Sequence, residues 1–241
     1  MHDLFVDLTC EYDTIKISGQ DVKVHSGMYK SAVNLTDPAH PTSVFLAVKS
    51  ALTKHEGYGL LLTGHSLGAA IASYLALIWG DENTCSTREN SGLPLGRLVK
   101  CFAFGPPCVV SLNGSKLLKK LVTSITVESD LVCRLSLGSA IDMLNIAKWM
   151  NRNRNVADPI ISAIFKQKEI KCTPELIQTR ISVEAQFAKE EKLFPAGELY
   201  YIDQKEICRV DRIDVLFGIL ILSNGINKHM PNYYDGLFKD M

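Results

Sequence analysis

Residues 57–80, GYGLLLTGHSLGAAIASYLALIWG, carry no Asp, Glu, Lys or Arg, and they constrain the fold more than any other stretch. A run of that length matches the roughly 20 apolar residues of a membrane-spanning helix. Its first half, however, is broken by Gly57, Gly59, Gly64, His65, Ser66 and Gly68. The pattern therefore predicts a short buried strand at 60–62, a tight turn, and a helix of small and apolar residues over about 69–79.

The turn, Gly64-His65-Ser66-Leu67-Gly68, fits G-x-S-x-G in the strand–turn–helix setting that gives this motif its chemistry. The serine sits on a strained turn that projects its hydroxyl, and glycines two residues to either side let strand and helix approach closely. The helix start offers backbone amides, that of Leu67 first, to a developing oxyanion. His65 is expected to point elsewhere on the turn and to serve structure. A chance pentapeptide is the alternative, and the flanking strand and helix weigh against it.

Around this element the chain alternates strand-like and helix-like segments. Residues 42–55 place Val44, Ala47, Val48 and Leu52 at helical spacing after Pro41 and Thr42. Residues 81–96 are polar and form a loop; strands are predicted at 98–104 and 122–127, with Gly105-Pro106-Pro107 forcing a turn between them. Residues 141–192 read as helices and loops laid over the sheet, and late strands are expected at 198–202 and 215–222. This alternation predicts an α/β fold of the α/β-hydrolase type, a mostly parallel sheet flanked by helices. With no repeat and no linker in 241 residues, a single domain over 1–241 is expected.

A serine hydroxyl is a weak nucleophile until a histidine takes its proton and a carboxylate fixes that histidine's tautomer. In this fold the chain order is serine, acid, histidine. Of the histidines at 2, 25, 40, 55, 65 and 229, only His229 follows a plausible acid, in a loop after the last apolar run. Asp130 is the first Asp after the 122–127 strand, at the carboxyl end where active-site loops gather. Glu128 is its near rival, and Asp142, Asp158, Asp203, Asp211 and Asp214 are remoter ones. On spacing alone, a turn or helix-cap role for Asp130 stays open.

Composition narrows the class. Lys plus Arg equals Asp plus Glu at 26 each, which argues against a nucleic-acid partner. With 46% hydrophobic and 22% charged residues the chain reads as globular and soluble. The seven cysteines include no CxxC pair, and no secretory signal opens the sequence. Free thiols without a structural disulfide are expected, and the sequons at Asn34 and Asn113 read as chance. No HExxH or Cys/His cluster suggests a metal, and none is expected.

Six blocks together resemble the class 3 lipase family, most closely the sn-1-specific diacylglycerol lipases, over residues 7–237. They are Val24-His25-Ser26-Gly27-Met28, GHSLG followed by alanines, Phe102-Ala103-Phe104-Gly105-Pro106-Pro107, and Ser129-Asp130-Leu131-Val132-Cys133-Arg134-Leu135. Leu193-Phe194-Pro195-Ala196-Gly197-Glu198-Leu199 and Lys228-His229-Met230-Pro231 complete the set. The resemblance implies Ser66 as nucleophile, Asp130 and His229 as its acid and base, and an acylglycerol substrate met at a membrane surface. It implies no cofactor; calcium dependence in relatives cannot be placed on residues of this chain. Cys133 replaces the family's proline, and Lys228 its aspartate, where a lysine can alter the pKa of His229. The family's R-G-T-like turn, with the second oxyanion donor, comes shortly before a stretch that Asp3 to Leu8 resemble. The chain is thus expected to lack N-terminal strands and that donor, together with the membrane-spanning N-terminal region of animal relatives. Loss of one donor costs roughly 10²–10³ in rate, so weak activity rescued by the upstream segment is expected.

The expected function is hydrolysis of a glycerolipid acyl ester by a cytoplasmic or peripheral membrane protein. A phospholipase A1-type esterase and a non-catalytic lipase-like scaffold are the alternatives.

Overall fold

The computed structural model describes residues 11–165, 173–187, 190–203, 206–211 and 225–240. It opens with a hairpin of β1 (Tyr12–Ile17) and β2 (Gln20–His25), in which Ile17 lies opposite Gln20 and Tyr12 opposite His25. Ser18 and Gly19 turn the chain with φ of 47° and 76°, the doubly positive pair that a two-residue hairpin loop requires. This hairpin goes beyond the sequence reading, which assigned no strand to 12–25.

Next come α1 (Ser26–Thr36), α2 (Phe45–Lys54), β3 (Leu60–His65), α3 (Leu67–Trp79) and β4 (Val99–Phe104). α4 (Leu112–Leu117) leads to β5 (Val122–Val127), and α5 (Leu137–Arg152), α6 (Arg154–Phe165) and α7 (Pro174–Phe187) follow. β6 (Glu198–Asp203), β7 (Glu206–Val210), α8 (Gly225–His229) and α9 (Pro231–Asp240) complete the described elements. The main sheet has the order β3-β4-β5-β6-β7, parallel except for the final β6–β7 pair. His65 lies opposite Phe104, Phe104 opposite Ile125, and Val127 opposite Ile202. The carboxyl ends of β3, β4 and β5 therefore meet at one edge of the sheet, where ligands of open α/β sheets bind.

The charge-free stretch is accordingly a strand, a turn and a core helix, but the strand expected to be buried is not: as the end strand of the described sheet it leaves Leu61 exposed and Leu60 and Leu62 only partly buried. Nine of the thirteen residues of α3 are buried, from Ala69 and Ala70 to Tyr74, Leu77 and Trp79, against Val99, Cys101, Ala103 and Leu121. Its small residues let the helix axis lie close to the sheet. Tyr74 pins the hairpin to this core: its hydroxyl donates to the Val109 carbonyl at 2.5 Å and accepts from the His25 amide at 2.9 Å. Among the described residues no helix is long and apolar enough to cross a membrane.

Several boundaries differ from expectation for physical reasons. The helix predicted from residue 42 begins at Phe45, because the Ser43 amide donates to the His40 carbonyl in a turn. Val44 is thereby left outside the helix and exposed, and Leu52 is the one buried α2 residue. The strand predicted from 98 begins at Val99, with Leu98 exposed. β7 was not anticipated, since an antiparallel edge strand with almost all residues exposed has no apolar alternation to betray it. The predicted strand at 215–222 lies outside the described residues. Cys85, Cys101, Cys108, Cys133 and Cys208 are all free thiols.

Candidate active site

Between the end of β3 and the start of α3 a single residue, Ser66, turns the chain, with φ 57° and ψ −126°. For a non-glycine residue this conformation costs about 1–3 kcal/mol and persists only where its surroundings over-determine it. Here the Ser66 amide donates to the Phe104 carbonyl at 3.0 Å, while its own carbonyl accepts from Ala69 and Ala70. Gly64 is required: a Cβ there would sit 2.3 Å from the Gly68 carbonyl oxygen. Gly68 corrects the expectation of matched glycines, because a Cβ on it would meet nothing within 4 Å among the described residues. The close approach is made by Gly68's backbone against Gly64, so only one of the two positions must lack a side chain. The Leu67 amide opens α3, where a helix has no carbonyl one turn back to accept it.

Asp130 follows β5 and is 1% exposed. One oxygen, Oδ1, accepts the Val132 amide at 2.9 Å, so the turn role and the site role coexist in one carboxylate. The other, Oδ2, accepts the Tyr234 hydroxyl at 2.6 Å. His229 Nδ1 lies 3.1 Å and 3.0 Å from Oδ1 and Oδ2, and its Nε2 lies 2.7 Å from Ser66 Oγ. The fold thus brings Ser66, His229 and Asp130 into one hydrogen-bonded line. The rival acids lie elsewhere. Glu128 faces Lys228 and Tyr233, Asp142 is buried against Lys192 at 3.0 Å, Asp158 pairs with Arg154, and Asp211 pairs with Arg209. Asp203 ends β6, and Asp214 lies outside the described residues.

His229 ends the five-residue helix α8 rather than lying in a loop, a correction that follows from Gly225. A Cβ on Gly225 would stand 2.9 Å from Leu131 Cβ, and the Gly225 carbonyl accepts the Leu131 amide at 3.1 Å. The glycine lets α8 start against the acid-bearing segment.

His65 also departs from expectation. It does not point away from the site. Its ring centroid lies 4.8 Å from that of His229 and 5.3 Å from that of Tyr234. Burial, reinforced by neighbouring His229, pushes its pKa below the ordinary histidine value. His65 therefore packs behind the His229 ring, its charged form disfavoured.

One participant, Tyr234, went unread in the sequence, and a second, Gly105, was read only in part. Tyr234 has no signal beyond following the histidine block, since its hydroxyl finds Asp130 only through the tertiary fold. Gly105 was read as a turn former; its φ of +55° bears that out. A Cβ there would also crowd the Tyr234 hydroxyl at 3.0 Å, His65 Nε2 at 3.2 Å and Asp130 Oδ2 at 3.3 Å. Of the two departures beside Asp130 and His229, Cys133 is fully enclosed, with its sulfur 3.9 Å from the Tyr234 hydroxyl, and burial together with Asp130 drives its thiol pKa up. The Lys228 ammonium is held by the Glu128 carboxylate and the Tyr233 hydroxyl. Among the described residues no three His, Cys, Asp or Glu side chains gather as a metal site, so no calcium ligand set can be assigned.

Comparison with known proteins follows the same lines. A family model for lipase (class 3) matches residues 1–140. Human diacylglycerol lipase-alpha is 30% identical over 142 residues, 56% of this chain and 12% of that protein; the rat protein matches equally. The matched stretch is thus a small part of those relatives. Among solved structures, Rhizomucor miehei triacylglyceride lipase aligns with a TM-score of 0.53 at 18% identity, over 96% of this chain and 66% of its own. A lipase from Rhizopus microsporus var. chinensis gives 0.53 at 16% identity, over 97% and 61%. These likenesses show the α/β-hydrolase fold.

Proposed function

The chain belongs to the class 3 lipase family, carboxylic ester hydrolases, and from that premise we propose that it cleaves a diacylglycerol-type acyl ester with Ser66, His229 and Asp130 as its catalytic triad. The observation that carries the reading is the line of contacts, 2.7 Å from Ser66 Oγ to His229 Nε2 and 3.0 Å from Nδ1 to Asp130. In this reaction the Ser66 hydroxyl attacks the ester carbonyl as His229 Nε2 takes its proton. Asp130, accepting Nδ1–H, keeps the free nitrogen turned toward the serine and stabilises the imidazolium. The Leu67 amide donates to the tetrahedral oxyanion, to which the positive end of α3 also contributes. His229 then protonates the departing glycerol oxygen, leaving an acyl-enzyme that water hydrolyses by the same steps in reverse roles.

The diacylglycerol preference is supported by the identity with diacylglycerol lipase-alpha, and the serine mechanism by a structural neighbour described as a triacylglycerol lipase with a serine protease triad. Ile226 and Met230, each 50% exposed beside His229, suit an acylglycerol layer and a peripheral membrane location. We read the chain as one catalytic domain.

A fluorophosphonate probe should label Ser66, and Ser66→Ala should abolish labelling and lower ester turnover by about 10⁴-fold or more. Undiminished turnover in Ser66→Ala would remove the mechanism. No labelling of the parent chain would favour a non-catalytic scaffold, and fatty-acid release from phospholipid but not from diacylglycerol would favour the phospholipase reading.

A further inference from the structure

The histidine sits on a support that cannot hold it alone. A helix of five residues is too short to be stable by its own hydrogen bonds, so the direction of the His229 ring depends on what α8 and α9 are tied to. One tie runs through the triad itself. A second, parallel tie lies one residue pair further out and belongs to none of the chemistry described above.

Glu128 stands two residues before Asp130, and Lys228 immediately before His229. The Glu128 carboxylate receives the Lys228 ammonium on Oε2 and the Tyr233 hydroxyl on Oε1, the latter at 2.9 Å. Lys228 also donates to the Tyr233 hydroxyl and lies 4.1 Å from the centroid of its ring. Glu128 and Lys228 are each 22% exposed, so this network is shielded from most of the solvent that weakens surface pairs. The consecutive tyrosines 233 and 234 thereby bind the two acids 128 and 130, one each. Glu128 also sits at φ 32°, a left-handed conformation that a Glu holds only under outside constraint. Burial alone would raise its carboxyl pKa, but hydrogen bonds from Lys228 and Tyr233 hold it below the usual carboxylate value.

We propose that Glu128, through Lys228 and Tyr233, is a positioning residue that clasps the histidine-bearing segment to the acid-bearing segment and so keeps the His229 ring in line between Ser66 and Asp130. The clasp rests on the triad reading given above, and it assigns the lysine before His229 a task that an aspartate facing Glu128 could not perform. The charges oppose across the joint, and the planar ring of Tyr233 fills the angle between them. Because a misplacement of about 1 Å of a reacting group can cost roughly 10²-fold in rate, loosening this joint acts on the chemical step rather than on substrate capture.

The test uses the full chain with Glu128→Ala, Lys228→Met, Tyr233→Phe and the charge-exchanged pair Glu128→Lys with Lys228→Glu. On a soluble short-chain ester, the Glu128 and Lys228 variants should lose on the order of 10–100-fold in kcat with KM nearly unchanged. Tyr233→Phe should lose less, and the exchanged pair should recover most of the loss. The downfield proton resonance of His229 Nδ1–H, identified by its absence in His229→Gln, should shift or broaden in the single variants and return in the exchanged pair. Unchanged kcat and an unchanged resonance in folded single variants would overturn the clasp, as would an exchanged pair no better than either single change. If Glu128→Ala does not fold, Lys228→Met and Tyr233→Phe carry the same measurements. The resonance needs no turnover, so a parent chain that neither hydrolyses ester nor takes up fluorophosphonate would sink the lipase reading while leaving the clasp to be decided.

Discussion

Ser66 is placed by backbone alone, the close approach of Gly64 and Gly68 and one amide bond to the Phe104 carbonyl of the next strand, whereas His229 is placed by side chains that reach it from a segment 99 residues away. On the Ser66 side, a strained φ, a Gly68 carbonyl oxygen 2.3 Å from where a Gly64 Cβ would lie, and a helix start fix the backbone that carries the hydroxyl. On the His229 side most of the ties are side chains. A short helix is held by Tyr234 on Asp130, by Glu128 on Lys228 and Tyr233, and by one amide–carbonyl bond from Leu131 to Gly225. The first half should therefore be indifferent to most polar changes and intolerant of added volume. The second should resist added volume at Gly225 and Gly105 and elsewhere respond chiefly to the loss of single polar atoms.

The largest effect expected from this contrast is at Gly64. Gly64→Ala drives a methyl into backbone that cannot yield, so it should cost about 3 kcal/mol in stability and abolish ester turnover. A Gly64→Ala protein with the parent's melting temperature would show that the elbow is not held by that approach. An intermediate effect belongs to Tyr234→Phe, which leaves ring packing intact and removes one hydrogen bond to a buried carboxylate. Such bonds are worth about 1.5–3 kcal/mol, and kcat should fall by about tenfold, with a matching drop in unfolding midpoint. If kcat falls but stability does not, the hydroxyl serves orientation alone, which would sharpen the division between the halves. The smallest effect is at Gly68, the elbow's other glycine. Gly68→Ala should change stability by no more than about 1 kcal/mol, and in the stabilising direction, because alanine is the better helix residue and nothing described stands in its way. A large destabilisation measured by thermal melting would mean that both glycines are needed after all.

The same contrast explains what could be read before any coordinates. The α/β alternation, the strands at 122–127 and 198–202, and the strand–turn–helix around Ser66 were legible because apolar periodicity and glycine placement are properties of neighbouring residues. His229 and Asp130 were reachable through chain order and block resemblance, which select residues without saying how they are held. The hairpin at 12–25 and the exposed edge strand β7 carried too little periodic signal to be seen. Tyr234 on Asp130, His65 against the His229 ring, the crowding around Gly105 and the Glu128 clasp were decided by tertiary structure alone. Each depends on which distant segments are packed into one dry corner, where a buried polar group must find a partner, and no local pattern states which partner that will be.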